Sequence, residues 1–116
     1  MANSFLHNNE RILRCSNCET YLLHEELSAI AEKEGLSSNA EIAAFLDSLN
    51  QDIYGYGVVG CDILEQFQLV ENKKLIQVLM RKTVDKILSD KTCTPELMDR
   101  LAKFKNTFCS INIEDH

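Results

Sequence analysis

A chain of 116 residues, 45% apolar and 26% charged, with four glycines and one proline, has room for one hydrophobic core and the composition of a folded protein, which excludes a second core and a disordered chain. Its formal net charge of −6 points toward a basic partner and away from nucleic acid, and no run approaches the roughly 20 apolar residues that cross a bilayer. The start, MANSFLHNNER, lacks the apolar core of a secretory signal, and five cysteines, an odd number, read as reduced thiols, so a cytoplasmic protein is expected.

In chain order, Phe5 to Leu13 is expected to form a helical turn or two, with limits blurred by Asn8-Asn9 and Ser16-Asn17. Tyr21, Leu22, Leu23, Leu27, Ile30 and Ala31 form an apolar stripe that ends at Gly35, a residue suited to the left-handed conformation beyond a helix. A new helix starts at Ser38, where Ser38-Asn39-Ala40-Glu41 matches a capping box. Its apolar face is Ile42, Phe45, Leu46, Leu49 and Ile53, the spacing of a 3.6-residue period. The stretch Gly55-Tyr56-Gly57-Val58-Val59-Gly60 predicts a break. A further helical run carries Val59, Ile63, Leu64 and Phe67, and Asn72 is expected to cap a long helix from Lys73 to Leu88 with Ile76, Leu79, Met80, Val84, Ile87 and Leu88 inward. The last helix is announced by Thr94-Pro95-Glu96 and continues through Leu97, Met98, Leu101, Phe104 and Phe108. The tail SINIEDH has no helical pattern.

No alternation of β-branched residues competes, so no strand is expected. The fold class is therefore all-α, a compact bundle of four to five helices with short antiparallel connections. Residues 1–109 make one helical domain, and 110–116 a mobile tail.

Charge is unevenly spread. Residues 1–72 hold three Lys or Arg against twelve Asp or Glu, and residues 73–106 hold nine against four. Nothing between Lys33 and Lys73 is basic, whereas Glu34, Glu41, Asp47, Asp52, Asp62, Glu65 and Glu71 are acidic. Two readings follow: a solvated face balanced by the basic helix after it, or a contact surface for a basic partner.

Motifs with chemistry are few. Cys15-Ser16-Asn17-Cys18 has the spacing of half a zinc knuckle, but no second pair follows, and the pair reads as small apolar residues on an irregular N-terminal helix. The glycine-rich loop lacks the lysine and hydroxyl of a phosphate cradle, and reads as a hinge whose Tyr54 and Tyr56 suit a partner-binding edge. The segment from Leu27 to Leu49 superficially resembles a helix-turn-helix, but its second helix carries Glu41, Asp47 and Asp52 and no base to meet phosphates. His7, His24 and His116 are scattered, and no nucleophile and base can be assembled around them. Phe5, Leu6, Val58 and Ile111 exceed what a lone bundle need bury, and pooled they would form a homodimer or docking face.

The sequence thus leads to a small acidic regulator that acts by occluding another protein with a basic surface, as inhibitors, antitoxins, immunity proteins and effector chaperones do. The expected contact residues are Glu41, Asp47, Asp52, Tyr54, Tyr56, Asp62 and Glu65. No enzymatic activity, cofactor, metal site or membrane contact is expected. The alternatives are a nucleic-acid-associated regulator using the basic helix 73–91, or a small zinc protein.

Overall fold

Helix boundaries in this chain are set by local hydrogen bonds, and these decide where the elements meet. The computed structural model describes residues 2–7, 10–54, 60–90 and 93–113, and for residues 2–4, 6, 7, 17, 50–54 and 60–62 the backbone alone. Helix α1 spans Asn17–Lys33. The Ser16 hydroxyl accepts from the Glu19 amide at 3.2 Å and the Ser16 amide donates to Glu19 Oε1 at 2.8 Å, a reciprocal capping box. At the other end, the amides of Gly35 and Leu36 donate to the Glu32 and Ala31 carbonyls at 3.0 and 2.8 Å. This is a Schellman motif, and it requires the left-handed φ of 75° that Gly35 adopts.

Helix α2, Ala40–Tyr54, starts one residue later than the Ser38 capping box implied. The Leu36 carbonyl accepts from the Asn39 amide at 3.0 Å, so residues 36–39 are committed to a turn. Asn39 then caps, its Oδ1 accepting from the Glu41 and Ile42 amides at 3.1 and 3.2 Å.

Helix α3, Val70–Asp90, begins ahead of the expected Lys73. The Leu69 carbonyl accepts from the amides of Asn72 and Lys73 at 3.1 and 3.2 Å, which places Asn72 inside the first turn, where it is buried, and not at the cap. Helix α4, Pro95–Cys109, starts as its sequence announces, with the Thr94 hydroxyl accepting from the Leu97 amide at 3.2 Å.

The N-terminal segment corrects the sequence reading. Residues expected in a helical turn form strand β1, Ala2–His7, and strand β2, Glu10–Ser16, paired antiparallel. Strand β3, Gly60–Asp62, lies parallel beside β1, giving the order β2-β1-β3. The reason is visible in β2, where Leu13 and Cys15 are buried while Arg14 and Ser16 are exposed, a period of two that a run this short barely shows. The helical run expected through Val59 to Phe67 is replaced by β3 and a single 3-10 turn at Leu64–Gln66. Its apolar residues Ile63, Leu64 and Phe67 are buried nonetheless.

Four α-helices among the described residues form the expected bundle, and the sheet covers one end of its core. The ion pairs Glu26–Lys86 and Glu34–Lys82 run in opposite senses along α1 and α3, so these helices are antiparallel. One core cluster takes Phe5 and Leu13 from the sheet, Leu23 and Leu27 from α1, Ile42 and Phe45 from α2, Ile76 and Val84 from α3, and Phe104 and Phe108 from α4. Phe104 is its centre, with ring centroids 5.4 Å from Phe108 and 6.2 Å from Phe5. Phe5, expected on an exposed patch, is core; Ile111 packs against it, Val58 lies outside the described residues, and of Leu6 only the backbone is described.

The C-terminal residues are held further than the expected tail boundary at 110. Gln77 Nε2 donates to the carbonyls of Phe108 and Ile111 at 2.9 and 3.0 Å, and Ile113 is buried. Residues 114–116 lie outside the described residues. No helix among the described residues is long and apolar enough to cross a membrane.

Because Phe104 is fully enclosed, Phe104→Ala should lower the unfolding free energy by about 3–5 kcal/mol, read from urea denaturation against the wild-type chain.

Candidate functional site

Three acids on or just beyond α1 are engaged within the fold. Glu19 meets Arg100 of α4, Glu26 meets Lys86 of α3 at 2.9 Å, and Glu34 meets Lys82 of α3. Lys105 of α4 is likewise 2.7 Å from Asp85 of α3. The basic helix therefore turns Lys82 and Lys86 toward α1, and a nucleic-acid surface on it would have to do without them.

The expected contact residues divide sharply. Glu41 is bound internally: its Oε1 accepts from the Gln68 amide at 3.0 Å and its Oε2 from the Asn72 side chain, while the Asn39 side chain donates to Asn72 Oδ1 at 3.0 Å. The Asn72 and Gln68 hydrogen bonds hold the Glu41 carboxyl below the usual carboxylate range. This carboxylate serves the entry into α3. Asp47 is exposed and faces α1, and Glu65 is exposed on the 3-10 turn. Asp52 and Tyr54 lie on the last turn of α2 and Asp62 in β3, but their side chains, like all of residues 55–59 with Tyr56 among them, fall outside the described residues. On a helix, Glu41 and Asp47 are six residues and so about 120° apart, and they look to different neighbours.

What the structure brings together is a groove between α1 and α2 of about 360 Å³, lined among others by His24, Ser28, Glu32, Ala43, Leu46 and Asp47. Its α1 wall is a stripe at four-residue spacing, His24, Ser28 and Glu32, which one helix face presents together. Ser28 Oγ lies 3.4 Å from His24 Nε2, and the buried His24 Nδ1 has no hydrogen-bond partner among the described residues. A nucleophile and base pair would need that nitrogen held by a third group, and among the described residues none holds it. Glu32 and Asp47 face the groove with no ion-pair partner among the described residues. The sequence reading missed this wall, although its i, i+4, i+8 spacing was there to be read.

Cys15 and Cys18 do not act as a pair of like groups. Cys15 is buried in β2 and Cys18 is exposed on the first turn of α1. Burial, reinforced by the neighbouring Glu19 charge and only partly opposed by Arg100, pushes the Cys15 thiol up to about 12, far from the thiolate that ligation or exchange requires. Among the described residues no three His, Cys, Asp or Glu side chains are grouped to hold a metal ion.

Glu19 is the electrostatic centre of this end of the molecule. Burial disfavours its charge, but the hydrogen bonds from Arg100 and Ser16 outweigh that and lower its pKa. No family model, no curated protein and no solved structure matches the chain.

Two outcomes follow. Asn72→Ala, which strands Glu41 and Asn39, should cost about 1–3 kcal/mol, whereas Asp47→Ala should stay within about 0.5 kcal/mol in the same thermal melts. Because the folded pKa of Glu19 is depressed, its stabilisation is present above the unfolded value near 4.3 and is lost as pH falls through the folded value. An acid titration of stability should therefore be shallower below about pH 4.3 for Glu19→Gln than for wild type.

Proposed function

We propose that this chain is a cytoplasmic binding regulator of the inhibitor, antitoxin, immunity or effector-chaperone kind, which occludes a partner by taking a basic segment of it into the α1–α2 groove. The observation that carries this reading is that Glu32 and Asp47 both line a groove of about 360 Å³ and have no ion-pair partner among the described residues, while Glu19, Glu26 and Glu34 each meet a cation of α3 or α4. Leu46 and Ala43 give that groove an apolar wall. A basic side chain entering there would lay its methylenes on Leu46 and its charge between the carboxylates.

The reading narrows the contact surface expected from sequence. Asp47 remains its centre, Glu41 is assigned to the fold, and Glu32 joins from the opposite wall. Charge steers such an encounter, so complex formation should slow as salt rises.

The test uses the immobilised chain and a lysate of its own cells, followed by the purified partner. Glu32→Lys combined with Asp47→Lys should weaken the complex at least tenfold, about 1.4 kcal/mol, and slow its association. Equal retention of the same protein by wild type and the double variant would overturn the proposal.

A further inference from the structure

A second recognition surface, independent of the groove, lies where the edge of the sheet meets α4. Strand β2 is an outer strand of the order β2-β1-β3, and along it runs a cleft of about 160 Å³ lined by Arg11, Ile12, Leu13, Arg14, Arg100 and Lys103. Four of these six residues are cationic, and none is acidic, on a chain of formal net charge −6.

A feature of the strand creates this concentration. Residues three apart on a regular strand point to opposite faces, so Arg11 and Arg14 should diverge. The register shifts between Phe5 and Leu6, which pair with Leu13 and Arg11 and leave Ile12 as the extra residue. This β-bulge puts Arg11 on the same face as Arg14, opposite to the buried Leu13, and bulges re-aim side chains in this way. On α4, Arg100 and Lys103 are three residues apart and so share a face.

The acids nearby leave much of this charge uncompensated. Glu19 takes Arg100 through contacts of 2.7 and 3.2 Å, and Asp99 lies 3.2 Å from Lys103 in an exposed pair, which is weak in water. Glu96, a turn before Arg100, lines no part of the cleft. Arg11 and Arg14 are exposed and have no ion-pair partner among the described residues. Arg100 also donates to the Arg14 carbonyl at 2.5 Å, which fixes its guanidinium at the mouth of the cleft and occupies an outward carbonyl of the edge strand.

The geometry points to a binding site for a phosphoryl group. Arg11, Arg14 and Lys103 line this cleft beside Arg100, whose N–H groups are largely spent on Glu19 and on the Arg14 and Glu96 carbonyls, and three cationic side chains that keep free donors suit a tetrahedral group with three charged oxygens better than a planar carboxylate. The volume takes one such group with a little water, and the Arg100 contact on the strand edge disfavours an added peptide strand. The phosphoryl group is either the free ion or an ester carried by a larger ligand.

The experiment is an amide NMR titration of the full chain with inorganic phosphate, at ionic strength held constant with sodium chloride. A second arm uses a phosphoserine peptide and its unphosphorylated counterpart. The expected result is saturable shifts at Arg11–Arg14 and Arg100–Lys103, and an affinity at least tenfold weaker in the double variant Arg11→Ala with Arg14→Ala. Binding of both probes with similar affinity assigns the group itself, and tighter binding of the phosphopeptide assigns an ester. Shifts that are linear and equal to those from chloride, shifts located elsewhere, or equal binding of both peptides would overturn the site. The wild-type map decides location even if the double variant fails to fold.

Discussion

The carboxylate of Glu19 joins three elements that apolar contacts alone would leave free to slide. It closes the capping box on Ser16 and so fixes the residue at which β2 becomes α1. With both oxygens it also receives Arg100 from α4, and Arg100 in turn holds the Arg14 carbonyl at the sheet edge. Strand, first helix and last helix are thereby tied at one point. The charge is half sheltered, and its depressed pKa records that fixed donors stabilise it more than burial penalises it. The neighbouring Cys15 shows the converse, since deeper burial, reinforced by the Glu19 charge, raises its thiol.

Much of the helical bundle is legible in the chain, because its signals are local. Thr94-Pro95-Glu96, the stripe closing on Gly35, and the 3.6-residue spacing of Ile42, Phe45 and Leu49 each specify an element by contacts within a few residues. The sheet was not legible for a corresponding reason. β1 pairs with β3 across more than fifty residues, and β2 shows its period of two only at Leu13 and Cys15, interrupted by the bulge at Ile12. The capping box Ser16-x-x-Glu19 was nonetheless present, and reading it would have ended the N-terminal segment where the structure does. Asn72 misled by residue type, since an asparagine before a helical pattern favours a cap, whereas burial beside Asn39 and Glu41 gives it a tertiary partner instead.

Of the candidate site, the acidity was legible and its arrangement was not. Composition counts carboxylates without saying which have partners. Glu41 satisfies Gln68 and Asn72, Glu26 and Glu34 neutralise α3, and only coordinates separate these from Glu32 and Asp47, which face open space. The groove needs two helices, and its α1 wall of His24, Ser28 and Glu32 becomes a surface only because α2 lies alongside.

The internal ion pairs have a consequence beyond stability, since each exposed pair contributes little. By drawing Lys82, Lys86 and Arg100 onto α1, they remove the cations that could have answered Glu32 and Asp47 and the acids that could have answered Arg11 and Arg14. Among the described residues, Glu32 and Asp47 between the helices and Arg11 and Arg14 at the sheet edge are then left without ion-pair partners. Like charges held together in a concave surface focus their potential outward, so each patch gains from a ligand of opposite sign what the fold does not supply. The net charge of −6 therefore describes the sum of two local preferences, and a partner that carried both a cation and an anion at matching spacing would satisfy both.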